Sequence, residues 1–132
     1  MNKCRRERND AVIVFEENTR KMTFRNPNRR TVTEVRVDGC EITDGLKCDF
    51  LLIEPEQTEH FVELKGGDIA HACRQILATH QQLSRKRAEV FAWVVSSKFP
   101  QDDSTLRQLK MECRRRRIKL AIKNSQQSYQ LP

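Results

Sequence analysis

The chain has 132 residues, with 25 Lys or Arg against 18 Asp or Glu, so its formal net charge is +7. This length suits one domain with a single hydrophobic core. The longest apolar stretches, Phe50–Ile53 and Val90–Val95, are far shorter than the roughly 20 residues of a membrane-spanning helix. The polar N-terminal residues also lack the apolar region of a secretory signal. We therefore expect a cytoplasmic domain with no membrane partner.

Apolar periodicity and turn residues predict an α/β chain. Predicted strands cover residues 11–16, 21–25, 31–37, 48–54, 60–65, 89–97 and 118–122, and predicted helices run from 69 to about 87 and from 104 into the arginine run ending at 117. Residues 1–10 are predicted to be loose, and 124–132 to be a polar tail. This order predicts a mixed central sheet flanked by helices. We expect one domain over 1–132, with a core at about 32–122 and an N-terminal β-hairpin extension at 1–31.

The five cysteines are an odd number and form no CxxC pair, which favours reduced thiols in a chain without a signal peptide. Three of them follow or lie within apolar patterns and are expected to pack as small hydrophobic side chains. A zinc site is the alternative, but a structural site needs four ligands, and no standard ligand spacing occurs among Cys40, Cys48, His60, His71 and Cys73.

The positive charge is concentrated in four short runs. Any one such run is usually a solvated loop or helix end, but four in one small domain favour a phosphate-rich partner. The chain has only one Trp and one Tyr, so arginine contacts to phosphate are expected rather than a base-stacking surface. The expected nucleic-acid-binding residues are Arg85, Lys86, Arg87, Arg114, Arg115, Arg116 and Arg117.

Three ionisable residues interrupt two strongly apolar predicted strands. With a hairpin turn centred on Gln57, Asp49 faces Lys65, and Glu63 lies two residues along on the same face. Two carboxylates there would repel each other, and a hard divalent cation such as Mg²⁺, which takes oxygen ligands, would relieve that repulsion. The alternative is that Asp49 and Lys65 form a simple cross-strand ion pair.

The order of these residues resembles the PD-(D/E)xK nuclease superfamily over roughly residues 32–122. The resemblance rests on Asp49, on Glu63-Leu64-Lys65 in the next strand, and on the amphipathic helix that follows Gly66. It implies a restriction-endonuclease-like fold and a Mg²⁺ or Mn²⁺ ion bound by Asp49, Glu63 and the backbone carbonyl of Leu64. It also implies that Lys65 positions the nucleophilic water.

The resemblance suggests two secondary candidates. Members usually have a helix before the first core strand that often carries a further acid, whereas Ala11–Arg25 is predicted to form strands. Glu41 is a candidate for that acid, as are Glu16 and Glu17. Gln75, in the helix after the motif, is the other, because RecB-like members carry a glutamine there.

The resulting hypothesis is a metal-dependent nuclease that hydrolyses phosphodiester bonds, with DNA favoured over RNA and the choice between them left open by the sequence. A homodimer or a partner protein would add the specificity for which so small a domain has little room. One alternative is a catalytically silent nucleic-acid-binding adaptor, or a subunit of a larger nuclease complex, on the same fold. Another is a basic protein-interaction domain whose ion pairs are only structural.

Overall fold

The computed structural model describes residues 2–85, 87–98 and 103–132. Within these ranges the chain is α/β, with nine strands and two helices. In chain order they are β1 (Arg5–Arg8), β2 (Val12–Glu17), β3 (Arg20–Arg25), β4 (Val32–Arg36), β5 (Phe50–Ile53), β6 (Glu59–Lys65), α1 (Ile69–Leu83), β7 (Val90–Ser96), α2 (Ser104–Arg115), β8 (Ile118–Asn124) and β9 (Gln126–Gln130).

Six strands form a mixed sheet in the order β1-β4-β5-β6-β7-β8. The pairs from β1 to β6 are antiparallel, while β6, β7 and β8 run parallel. The two β-α-β units step across the sheet in the same direction. Because such crossovers share one hand, α1 and α2 lie on the same face of the sheet. The predicted mixed sheet is therefore confirmed.

The other face of this sheet is covered by a second sheet of three strands, in the order β2-β3-β9. Side chains alternate between the two faces: Leu51 and Phe61 pack towards the helices, whereas Leu52, Val62 and Trp93 pack towards the small sheet. The prediction of a sheet flanked by helices is right for one face and wrong for the other. The predicted N-terminal hairpin exists as β2 and β3, but it serves as the cover of this second face.

Two strands escaped prediction because their sequences lack apolar alternation. Residues 1–10 were expected to be loose, yet β1 pairs with β4, and β9 lies in the predicted polar tail. Both strands are specified by their neighbours, since β1 extends the main sheet and β9 pairs in parallel with β3. Tertiary pairing thus overrides a weak local preference.

Helix α1 ends four residues before the predicted Arg87. Ser84, the residue after the helix, has extended backbone angles. The buried carboxylate of Glu59 accepts hydrogen bonds from the Ser84 hydroxyl at 2.6 Å and from the Arg85 N–H at 2.9 Å. These bonds hold the chain in a non-helical path that leads into β7.

A polar network lies within the core, between the main sheet and the small one. The buried His60 ring contacts the Glu54 carboxylate through Nε2 at 2.6 Å and the Trp93 indole nitrogen through Nδ1 at 3.1 Å. Because the indole N–H can only donate, Nδ1 accepts, and the ring proton is on Nε2. Glu54 also accepts from Arg30 at 2.9 Å. Every member of this network therefore has a partner.

The cysteine prediction is wrong for two residues. Cys4 and Cys40 form a disulfide, with their Cα atoms 5.6 Å apart, because the pairing of β1 with β4 brings the chain before β1 close to the turn after β4. Cys48, Cys73 and Cys113 are free and buried, as predicted. Neither helix in the described part of the chain has the length and apolar character needed to cross a bilayer.

Candidate active site

The β5–β6 hairpin determines which of the three predicted residues face one another. Phe50 pairs with Val62, so Asp49, just before β5, lies opposite Glu63. The predicted register placed Asp49 opposite Lys65 and is wrong by two residues. The cause is the turn, which closes between Glu54 and Thr58 with Gln57 in the left-handed region at φ 79°. An even shift keeps every side chain on its predicted face.

Asp49 is tied to the neighbouring strand by its side chain. Its Oδ2 accepts a hydrogen bond from the Leu64 N–H at 2.8 Å, and its own N–H donates to the Val62 carbonyl at 3.1 Å. The N–H and C=O of one strand residue point towards the same neighbouring strand. The Leu64 carbonyl therefore points to the side on which Asp49 lies, as the metal hypothesis requires.

Glu63 is a buried acid with one unpartnered side-chain oxygen. Its side chain is 3% exposed, and its Oε1 has no hydrogen-bond partner in the described structure. Burial and the nearby Asp49 raise the pKa of Glu63 to about 8, although Lys65 opposes the shift. Burial also raises the pKa of Asp49 to about 6, against the Leu64 hydrogen bond. Neither carboxylate therefore has enough positive charge nearby to offset the effect of burial on its pKa.

Two further acids lie close enough to act on Asp49. Glu17, at the end of β2, and Asp38, just after β4, both raise its pKa. Asp38 and Asp49 line a cavity of about 220 Å³ together with Glu16, Glu17, Arg36 and Phe50. Glu17 was among the acids considered from the sequence, but Asp38 was missed because Asp38-Gly39 was treated only as a turn. The signal was its position directly after a predicted strand.

The two secondary candidates lie in different places. The Glu41 carboxylate accepts from Asn2 at 2.9 Å and from Arg5 at 3.3 Å, so it is engaged with the N-terminal segment. The Gln75 side-chain nitrogen donates to the Lys47 carbonyl at 3.0 Å, two residues before Asp49. The Gln75 Oε1 is buried without a partner in the described structure. Gln75 therefore borders the site, whereas Glu41 does not.

Cationic side chains gather where β6 ends. Lys65 is half-buried at the last position of that strand. Arg20 Nη1 lies 4.0 Å from the point where a side chain at Gly66 would begin, and Lys98 Cδ lies 3.4 Å from the same point at Gly67. The two glycines thus leave room for these cations close to the backbone just after β6.

The donor set fits a hard divalent cation better than zinc. Among residues 2–85, 87–98 and 103–132, no three His, Cys, Asp or Glu side chains group closely enough to hold a metal alone. The Asp49 and Glu63 carboxylates and the Leu64 carbonyl supply oxygen ligands, and Mg²⁺ commonly completes its shell with water and phosphate oxygens. Two of the residues considered as zinc ligands are already engaged elsewhere, because Cys40 is in the disulfide and His60 is in the core network.

The predicted basic residues fall in separate places. Arg85, Arg87, Arg116 and Arg117 line one cleft of about 520 Å³, which we call the arginine cleft. Arg114 and Arg115 border other depressions on α2. Lys86 lies outside the described residues.

Comparison with known proteins gives no family assignment. The chain matches no protein-family model, and searches of curated proteins and of solved structures find no match either.

Proposed function

We propose that this chain is a metal-dependent nuclease that hydrolyses phosphodiester bonds, with duplex DNA as the preferred substrate. The observation that carries the proposal is the buried, unpartnered Oε1 of Glu63 opposite Asp49. A buried carboxylate without a partner is costly to the fold. A site that binds a cation accounts for that cost, and a purely structural ion pair does not.

Each residue has a definite role in this proposal. Asp49 and Glu63 hold the cation together with the Leu64 carbonyl, and the Leu64 N–H orients the Asp49 carboxylate at 2.8 Å. A bound Mg²⁺ would stabilise charge on the phosphate and lower the pKa of a bound water. Lys65, at the end of β6, orients the attacking water.

The surrounding groups support substrate binding. Arg20 and Lys98 lie beside Gly66 and Gly67, where they can contact the phosphates that flank the scissile bond. Such contacts position the backbone without reading base sequence. Specificity would then come from the shape of the substrate or from a partner.

Cleavage assays with matched variants test the proposal. Duplex, single-stranded and branched DNA and RNA are incubated with Mg²⁺ or Mn²⁺, and with EDTA as the metal-free control. We expect Lys65→Ala and Glu63→Gln each to slow cleavage at least about 100-fold, a typical cost of removing one transition-state contact. The matched controls are Lys119→Ala and Glu89→Gln. These two residues form an exposed ion pair 3.3 Å apart near the start of β7.

Equal rates in the site and control variants would contradict the proposal, because the activity would then come from a contaminant. Absence of cleavage of every substrate, with retained salt-sensitive binding, would favour the non-catalytic adaptor instead.

A further inference from the structure

The arginine cleft joins two basic segments that are far apart in sequence. Arg85 and Arg87 belong to the connection between α1 and β7, and Arg116 and Arg117 form the turn after α2. Together with His80 they line one cavity of about 520 Å³, and no Asp or Glu is part of its lining. The four-arginine run is therefore split, with only its second half in the cleft.

The positive charge of the cleft is largely uncompensated. Arg116 is held by Glu112 at 2.8 Å and by the Leu77 carbonyl at 3.1 Å. Arg85, Arg87 and Arg117 are exposed, and no ion pair among the described residues involves their side chains. One arginine is thus fixed by the protein, and three remain available to an anion.

The backbone places two of these arginines at an energetic cost. Arg87 has φ 68° and Arg117 has φ 60°, in the left-handed region where glycine is favoured. Arg117 follows Arg116, the C-cap of α2, and so occupies the position at which helices commonly place glycine. Strained backbone of this kind often accompanies functional sites, and an arginine here supplies charge that a glycine would not.

The cleft lies at the C-terminal end of α1, and the candidate active site borders the same helix further towards its N-terminus. The helix ends two residues before Arg85, whereas Gln75 donates to the Lys47 carbonyl, two residues before Asp49. No acidic residue occurs between Ile69 and Leu83, so the surface between the two sites carries no negative charge from this helix. The helix from Gln75 to Leu83 spans about 12 Å, which corresponds to several steps of duplex rise.

We propose that the arginine cleft is a second phosphodiester-binding site that holds duplex DNA several base pairs from the scissile bond. This inference rests on the proposed nuclease function and adds a length requirement to it. A duplex long enough to occupy both sites binds more tightly than one that reaches only the active site.

Binding of labelled duplexes without metal tests this inference apart from cleavage. Fluorescence anisotropy compares duplexes of about 6 and about 20 base pairs, lengths chosen from the duplex rise, in EDTA at several salt concentrations. The test variant is Arg87→Gln with Arg117→Gln, and the matched control is Arg114→Gln with Arg115→Gln, which removes equal charge outside the cleft.

We expect the test variant to bind the long duplex at least about tenfold more weakly, with a salt slope reduced by about 2, and to bind the short duplex nearly as wild type does. The control should lose less than about threefold. A second variant, Arg87→Gly with Arg117→Gly, suits the positive φ angles and should keep the fold while losing the same affinity.

Equal losses in test and control variants would overturn the inference, as would equal losses for both duplex lengths. If the test variant still cleaves DNA and binds the long duplex as tightly as wild type does, the second binding site is disproved and the nuclease proposal stands. Cleft-dependent binding without any cleavage would overturn the nuclease proposal and leave the cleft as a DNA-binding site.

Discussion

Of the three buried acids on the β5–β6 hairpin, Glu54, Glu59 and Glu63, the first and the last have sharply different surroundings. Glu54, at the turn, accepts from Arg30 and from His60, and its side chain is 2% exposed. Glu63, near the other end of β6, is 3% exposed and faces Asp49 instead of a cation. Burial alone would raise the pKa of Glu54, but its two hydrogen bonds outweigh it and hold the pKa below its usual value.

The two acids are similarly buried, but the pKa of Glu54 is lowered and that of Glu63 is raised. Glu54 has cationic and imidazole partners within the chain, whereas the Oε1 of Glu63 has no partner in the described structure. Buried polar groups in folded proteins are normally satisfied. The cation that we propose would supply the partner that Glu63 lacks.

The largest effect on stability should come from replacing Glu54, the acid whose hydrogen bonds are satisfied. We expect Glu54→Leu to lower the free energy of unfolding by about 3–5 kcal/mol, because His60 and Arg30 lose the same acceptor. The matched change Glu63→Leu should leave stability unchanged or increase it at pH 8. Urea denaturation of both variants measures this difference. Equal losses in the two variants would show that the ends of the hairpin do not differ in this way.

The pH dependence of the unfolding free energy should report on Glu63, the acid whose Oε1 has no partner in the described structure. The pKa of Glu63 is about 8 when folded, against an ordinary 4.5, so the folded state binds this proton more tightly than the unfolded state does. Stability from this group is complete below about pH 4.5 and is lost as the pH rises through 8. Without metal, we expect a fall on the order of 3–4 kcal/mol between pH 5 and 8.

Glu63→Gln is the control for this titration, since it keeps the shape and removes the proton. Its unfolding free energy should fall much less over the same pH interval, and mainly below about pH 6, where Asp49 still titrates. A wild-type profile no steeper than that of Glu63→Gln would refute the assignment of a raised pKa to Glu63.

Binding of Mg²⁺ should partly reverse the loss of unfolding free energy that occurs as the pH rises to 8. At ten times its Kd, Mg²⁺ should add about 1.4 kcal/mol at pH 8 by mass action. The gain should be smaller at pH 6, because the ligands must be deprotonated before they bind. Thermal melts with Mg²⁺ or EDTA measure the gain, and calorimetry gives the Kd. Glu89→Gln should behave as wild type, whereas an undiminished gain in Glu63→Gln would place the ion elsewhere.

The smallest effect concerns a single bond in the satisfied network. Trp93→Phe removes the hydrogen bond to His60 Nδ1, 3.1 Å long, and should cost about 1 kcal/mol. Because the core packing is largely kept, cleavage activity should not change. Loss of activity in this variant would mean that the two ends of the hairpin are coupled.

Much of the main sheet followed from hydrophobic periodicity alone. The elements from β4 to β8 have strong apolar patterns, and both helices begin after a capping aspartate. The Asp68 side chain accepts from the His71 N–H, and the Asp103 side chain accepts from the Leu106 N–H. The face shared by Asp49, Glu63 and Lys65 was also predictable, because parity survives an even shift of register. The register itself depended on Gln57 adopting a positive φ angle, which nothing in its residue type requires.

The remainder depended on contacts between distant segments. The Cys4–Cys40 disulfide follows from the pairing of β1 with β4. Strand β1 has no apolar pattern from which the strand itself could be predicted. Asp38 joins the site only because β4 lies beside β5 in space. The convergence of two arginine runs similarly requires knowing that α1 and α2 end on the same edge. Local patterns do not encode these distances.

The parallel pairing of β3 with β9 joins residues about a hundred positions apart, from Met22 with Gln127 to Arg25 with Gln130. During synthesis, the hairpin of β2 and β3 emerges early but cannot complete its sheet until residue 130 has left the ribosome. Contacts of such long sequence separation slow folding. Phe15 and Phe24 pack against the main sheet in a cluster that also contains Tyr129 and Leu131, so a chain truncated before β9 should leave part of this apolar cluster uncovered.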